Sequence, residues 1–345
     1  MKDIKHILIV TPGFPADESD DTCMPYLQTY LKEAARINSG LRFTVIALQY
    51  PYESRNYTWN RIQVFSCGGR NRPFPLRFYY WRKALNQLSH FHQKEKIDVV
   101  HSFWLSECTY LAQKWTTSNN VRHIATAMGQ DVLPENKYLK RINLDSLSIA
   151  VLSKFQNEEM RTTVGKDADE IISFGMTKRD NQSNKRSIDV LGVGSLIKLK
   201  NYEQFLKVVA LVLKAKPELK VVLIGDGPEL ENLKLLAETL GIKDCVSFLG
   251  HVTRKDVLDL MTKAKVLLHT STFESQGFVF NEAIASGMAV VARKVGIASE
   301  SERWKVSESG ADMAGSILSL LEKNYEPETL IPIQQTIEAY KKLYG

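Results

Sequence analysis

The stretch that most constrains this chain is Ser271 to Gly287, STFESQGFVFNEAIASG. The apolar run before it, Ala264 to His269, predicts a short buried strand, and Thr270 to Gln276 a polar loop. Gly277 to Ser286 predicts a short helix that Gly287 is placed to end, and Met288 to Ala292 a second strand. Strand, loop, helix and strand make the repeating unit of a parallel sheet, which binds ligands beyond the carboxyl ends of its strands. The amides at the helix start, near Gly277 and Phe278, favour an anion such as a diphosphate. Two carboxylates bracket that start, Glu274 in the loop and Glu282 inside the helix. Eight helical steps would leave them roughly 80° apart, so a shared helix face does not explain the pair. They can instead grip two parts of one extended ligand, because carboxylates accept hydrogen bonds from vicinal sugar hydroxyls. The plainer alternative is two surface glutamates favoured by the helix dipole.

Composition sets the outer bounds. A chain of 345 residues suits two domains, and 44% hydrophobic with 24% charged residues describes a soluble globular protein. The N-terminus runs straight into a strand rather than a signal peptide, and no apolar run approaches a membrane span. Cys23, Cys67, Cys108 and Cys245 are scattered without a CxxC, which argues for neither a disulfide framework nor a zinc site and fits a reducing cytoplasm. A net charge of +6 is too mild to argue for nucleic acid, yet compatible with an anionic ligand or the inner face of a membrane.

In chain order, apolar runs predict strands at 6–10, 43–48, 97–104, 121–126 and 148–153, and a last strand and turn at 170–176. An acidic loop, Ala16 to Thr22, precedes a helix from about Pro25 to Ile37 and serves either an acceptor or as a solvated turn. Arg70 to Lys83 interleaves five basic residues with five aromatics and leads into a helix reaching about Lys94. Such patterning suits a membrane interface or a lipid-linked acceptor, or else aromatics that pack the core beside solvated arginines. The polar segment 177–187 predicts a linker between a first domain, 1–176, and a second, 188–327, with a final helix in 328–345. The second domain alternates strands near 188–193, 219–224 and 245–249 with helices from near Tyr202, at 229–240, at 256–263 and at 313–321.

Phe273-Glu274-Ser275-Gln276-Gly277-Phe278, with Asn281 to Gly287, resembles the signature of retaining GT-B glycosyltransferases of family four, glycosyl transferases group 1. The resemblance implies an α/β GT-B fold: two Rossmann-like domains with parallel sheets facing across a cleft, and a C-terminal helix crossing back to the first domain. It implies a UDP- or GDP-sugar donor in the second domain and a glycan or lipid-linked acceptor in the first, with no metal and no further cofactor. It gives Glu274 to the donor sugar, Glu282 to the ribose, and the amides around Gln276, Gly277 and Phe278 to the diphosphate. Lys200 matches the family's phosphate-binding lysine after Gly194, while Ser195 stands where relatives carry an arginine. Gly225, Gly227 and Pro228 match a turn that passes the nucleotide, and His251 and Val252 the loop that flanks the base. In the first domain the family's Gly-rich loop is reduced to Gly13. His101 matches a strand-end histidine that touches ligand, its alternative being a hydrogen-bonded core histidine. Gly129 and Asp131 keep part of a donor-side motif whose histidine is replaced by Met128. Glu274, Lys200 and His101 are the expected catalytic residues. Retaining transfer by this family implies front-face attack, with the departing diphosphate taking the acceptor's proton. The rivals are another GT-B chemistry, a nucleotide-sugar epimerase or a phosphorylase, and a binding protein that has lost catalysis.

Overall fold

The computed structural model describes residues 4–38, 40–73, 75–177 and 186–345. These form two compact units, Met1–Met176 with Pro332–Gly345, and Thr177–Ile331. Most of the expected linker, 178–185, lies outside the described residues.

In the first unit the strands are β1 (His6–Gly13), β2 (Arg42–Tyr50), β3 (Arg55–Trp59), β4 (Ile62–Ser66), β5 (Val99–Phe103), β6 (Arg122–Thr126), β7 (Ser148–Val151) and β8 (Glu170–Ile171). The sheet order is β3-β4-β2-β1-β5-β6-β7-β8, parallel apart from the antiparallel pair β3 and β4. Helices α1 (Pro25–Ile37), α2 (Arg77–Lys94), α3 (Glu107–Asn119) and α4 (Lys154–Val164) connect the strands. β1, β2 and β5 are buried almost throughout, as strands of a parallel sheet covered on both faces must be. Ser106 caps α3 and Ser153 caps α4 by accepting the amides of Cys108 and Gln156, and Gly165 closes α4 at φ +72°. The hairpin β3–β4 is not legible as apolar alternation; Asn60 and Arg61 turn it, both at positive φ. In the expected strand and turn at 170–176 the strand is Glu170–Ile171.

In the second unit the strands are β9 (Ile188–Val193), β10 (Val221–Ile224), β11 (Val246–Gly250), β12 (Ala264–His269), β13 (Ala289–Ala292) and β14 (Trp304–Val306). They form a parallel sheet in the order β11-β10-β9-β12-β13-β14. The helices are α5 (Tyr202–Ala215), α6 (Leu230–Thr239), α7 (Arg254–Thr262), α8 (Phe278–Ala285) and α9 (Gly310–Leu321). The apolar stripe of α5, Phe205, Val208, Val209 and Val212, packs with Met313, Ile317 and Leu320 of α9 over the sheet. β14 is a strand the sequence did not announce.

The C-terminal helix, Ile333–Tyr344, belongs to the first unit. It lies within the expected 328–345 segment, whose first residues belong elsewhere: the Glu328 amide donates to Ile284 O (3.2 Å) within the second unit, whereas Met176 bridges to Pro332 and accepts from the Ile333 amide (3.0 Å).

Candidate active site in the second unit

The order of the second sheet reverses direction between β9 and β12, which pair through Val190 and Val266. The crevice beyond the carboxyl ends at such a switch point is where open α/β sheets bind ligands. The loop after β9 carries Gly194 to Lys200, and the loop after β12 carries Thr270 to Gln276.

Backbone bonding locks these two loops together. Lys198–Lys200 form a 3-10 turn closed by Asn201 at φ +49°. The Thr272 amide donates to Leu199 O (2.9 Å), Thr270 Oγ1 to Lys200 O (3.0 Å) and Ser271 Oγ to Leu199 O (3.3 Å). Lys200 Nζ is thereby held on Glu274 Oε1. The same oxygen accepts from His269 Nε2 at 2.9 Å, the last residue of β12. His269 is 4% exposed and stands edge-on to the Phe280 ring of α8, 4.9 Å between centroids. Burial on its own would raise the Glu274 pKa; the His269 hydrogen bond and charge, joined by Lys200, outweigh it and hold the carboxyl at about 2. Glu274 is thus an ionised carboxylate with both donors on one oxygen, and no described donor reaches Oε2.

The loop after β12 turns into α8 through Gly277, at φ +77°. A Cβ there would lie 2.4 Å from the Phe280 ring, so no other residue fits this N-terminus. Gln276 is fully buried, and its carbonyl accepts from the Ile297 amide (3.0 Å). Gly296 passes so close that a Cβ would sit 2.3 Å from the same oxygen. Phe278 opens α8, which points its N-terminus, the end that favours anions, at the loop bearing Glu274. Glu282, inside α8, is buried and paired with Arg254 Nη2 (2.6 Å) at the start of α7. His269, Arg254 and Gly296 are site residues that sequence reasoning missed.

The glycines after β9 and β10 serve each other first. A Cβ on Gly225 would lie 1.8 Å from Gly194 O, and one on Gly227 2.4 Å from Leu196 O. The Leu196 amide donates to Asp226 O (2.9 Å) and the Glu229 amide to Leu196 O (3.1 Å), flanking Pro228. Ser195 is exposed between them. The Gly225 amide donates to Gly250 O (3.0 Å), so exposed His251 and half-buried Val252 continue the same rim outward from the switch point.

The first-unit candidates sit differently. His101 is fully buried inside β5, with Nδ1 on Tyr344 Oη (2.9 Å) and Nε2 on Thr126 Oγ1 (2.8 Å). Burial, with His123 nearby, lowers its pKa to about 3. It is the core histidine of the two readings, and ties the C-terminal helix to the sheet rather than facing a ligand. Asp131 is buried too. Its carboxylate accepts from the amides of Leu105 (2.7 Å), Gly129 (2.7 Å) and Met128 (3.2 Å), clipping together the loops after β5 and β6, and burial raises its pKa. Gly13 is buried at the end of β1 against Tyr50 and Cys23. The segment 70–83 splits: Trp81 Nε1 (2.9 Å) and Tyr80 Oη (3.1 Å) donate to the Glu107 carboxylate, while Leu76, Phe78 and Tyr79 are more than half exposed. Phe74 lies outside the described residues. No helix among them is long and apolar enough to cross a membrane.

Two α/β units, with a lysine–glutamate–histidine cluster at the second switch point, define the class: a GT-B fold. The chain superposes on sucrose-phosphate synthase from Thermosynechococcus elongatus with a TM-score of 0.75 at 17% identity, covering 99% of this chain and 98% of that one. Anabaena HepE, solved in complex with UDP and glucose, matches with a TM-score of 0.67 at 18% identity, covering 96% and 92%. More particularly, residues 175–331, which span nearly all of the second unit, match the family described as Glycosyl transferases group 1. Among curated proteins the chain is 27% identical over 167 residues to the uncharacterized glycosyltransferase YqgM of Bacillus subtilis, 47% of this chain and 46% of that protein. It is 25% identical over 285 residues to N-acetyl-alpha-D-glucosaminyl L-malate synthase of Bacillus anthracis, 75% of this chain and 70% of that protein. The match thus spans about half the length of the first relative.

Proposed function

We propose that the chain is a retaining, metal-independent glycosyltransferase that moves a hexose-type sugar from a UDP- or GDP-sugar to a glycan or lipid-linked acceptor, in surface polysaccharide or glycolipid synthesis. The observation that carries this reading is the Lys200–Glu274–His269 cluster beside the α8 N-terminus. Lys200 and the start of α8 supply positive potential for a diphosphate, and Glu274 supplies an ionised acceptor for donor-sugar hydroxyls. The bond from the anomeric carbon to the diphosphate oxygen breaks, the bond to the acceptor oxygen forms, and the acceptor's proton passes to the departing diphosphate. Lys200 stabilises the charge that develops on that leaving group. Glu282, held by Arg254, faces the ribose, and the rim from Gly225 to Pro228 and from His251 to Val252 flanks the nucleoside. The exposed Leu76, Phe78 and Tyr79, among Arg72, Arg82 and Lys83, would rest on the inner face of the cell membrane.

The test is thermal shift with a panel of nucleotides and nucleotide sugars, with EDTA and then with Mg²⁺ or Mn²⁺. A ligand that binds only the folded chain raises Tm by mass action. We expect one nucleotide series to shift Tm equally in EDTA, with the shift reduced in Lys200→Ala. No shift across the panel would refute the donor reading. Turnover of the donor without acceptor, or dependence on phosphate, would favour an epimerase or a phosphorylase.

A further inference from the structure

The first sheet has its own switch point, between β1 and β5, which pair from Ile7 and Val99 to Val10 and Ser102. Just beyond the carboxyl end of β5, Trp104 takes φ +70°. The left-handed region is disfavoured for any residue with a Cβ, and a tryptophan there is an outlier that its surroundings must enforce. They do so through the backbone. The Trp104 amide donates to Thr126 O (2.9 Å), and its carbonyl accepts from the Ser106 amide (2.7 Å) and Thr109 Oγ1 (2.7 Å). The next amide, of Leu105, is held by the buried Asp131 carboxylate (2.7 Å).

All of this fixes the main chain and leaves the side chain uncommitted. The indole is half-buried, and no described ring packs against it. Its N–H has no partner among the described residues, and unlike those of Trp59 and Trp304 it is not sealed from solvent. Gly129 borders the indole, with the place of an absent Cβ 3.7 Å from Nε1. The acidic loop 16–22 follows β1 here, with the Asp20 carboxylate turned onto the amides of Ala16 (3.1 Å) and Cys23 (3.2 Å) and onto Tyr50 Oη (2.8 Å). Thr11 to Gly13 end β1 and Phe14 follows it, Met24 lies with Sδ 3.2 Å from Thr11 Oγ1, Met128 follows β6, and the Asp131 carboxylate points inward onto amides. The second unit's switch point presents Lys198 and Lys200 instead. A half-buried indole with a spare N–H, at a switch point whose first loop is acidic, suits a ring with an apolar C–H face and hydroxyl edges, and does not suit a phosphate.

We propose that Trp104 is the platform on which the acceptor's sugar or cyclitol ring packs, with the indole N–H donating to one of its hydroxyls. The word acceptor rests on the glycosyltransferase reading; ring binding at Trp104 does not.

The experiment is saturation-transfer NMR on the full chain without nucleotide. The probes are methyl glycosides of glucose, galactose, mannose and N-acetylglucosamine, and myo-inositol, tested on the native protein, Trp104→Phe and Trp104→Leu. We expect ring-proton saturation by at least one probe, kept within about threefold in Trp104→Phe and weakened about tenfold or more in Trp104→Leu, with Tm preserved in both. No probe bound by the native protein, or equal binding by Trp104→Leu, would overturn the proposal. So would equal losses in the phenylalanine and leucine variants. Glycoside binding that depends on Trp104, in a protein that no nucleotide shifts, would support the platform and sink the donor reading.

Discussion

Glu274 shows what a single buried carboxylate gains from its neighbours. Its pKa of about 2 lies below the ordinary 4.5, so as pH falls the unfolded chain takes up the proton first. Its contribution to stability is complete above about pH 4.5 and is lost as pH drops toward 2. Melting curves between these limits should therefore flatten in Glu274→Gln, and turnover at neutral pH should fall about 100-fold or more. A Glu274→Gln chain with unchanged turnover would remove the carboxylate from the mechanism. His269 acts through Glu274. Losing a hydrogen bond to a charged group costs about 1.5–3 kcal/mol, so His269→Leu should lower kcat some ten- to a hundredfold with little change in nucleotide affinity, and His269→Gln should restore part of it. The one sequence signal for His269 was its position, a polar residue closing a buried strand five positions before a loop glutamate. His101 misled in the opposite way, since a histidine near a strand end looks the same in sequence whether its nitrogens meet a ligand or, as here, Thr126 and Tyr344.

At the scale of elements, the loops rather than the helices carry the precision. The crossing of the loops after β9 and β10 leaves no room at Gly225, so Gly225→Ala should destabilise the second unit by about 3 kcal/mol, read by denaturant titration. Periodicity made the parallel strands and α1 legible, because a buried strand must be apolar throughout. It failed at the hairpin β3–β4, an edge with polar residues on one face and Arg61 where a turn more often has glycine. It also failed at β14, three residues long. The α2 segment was read as one basic-aromatic stretch, yet its residues divide between the Glu107 network and solvent. Replacing Leu76, Phe78 and Tyr79 with serine should leave stability within about 0.5 kcal/mol per site and abolish cosedimentation with anionic vesicles, if this face meets a membrane.

For the molecule as a whole, acid sensitivity should begin before the carboxylates titrate. His101 and His123 are buried and neutral, with pKa values of about 3 against an ordinary 6.5. The unfolded chain binds those protons first, so stability declines as pH falls below about 6.5; urea midpoints at pH 7, 6 and 5 should drop in sequence, less steeply in His101→Gln. The second unit's site was largely readable because its motif is contiguous. The first unit's was not, since Gly13, Trp104 and Met128 come to the ends of neighbouring strands β1, β5 and β6 only through sheet order.

The last helix has a consequence for how the protein is made. Ile333, Ile337, Tyr340, Leu343 and Tyr344 are buried in the first unit, where the Tyr344 hydroxyl joins Tyr30 (2.9 Å) and His101. During synthesis the first unit emerges earliest yet waits for these residues, while the second unit has everything it needs. The first unit's core is therefore completed by residues that follow the whole of the second unit in sequence, so it closes only after the second unit has been made.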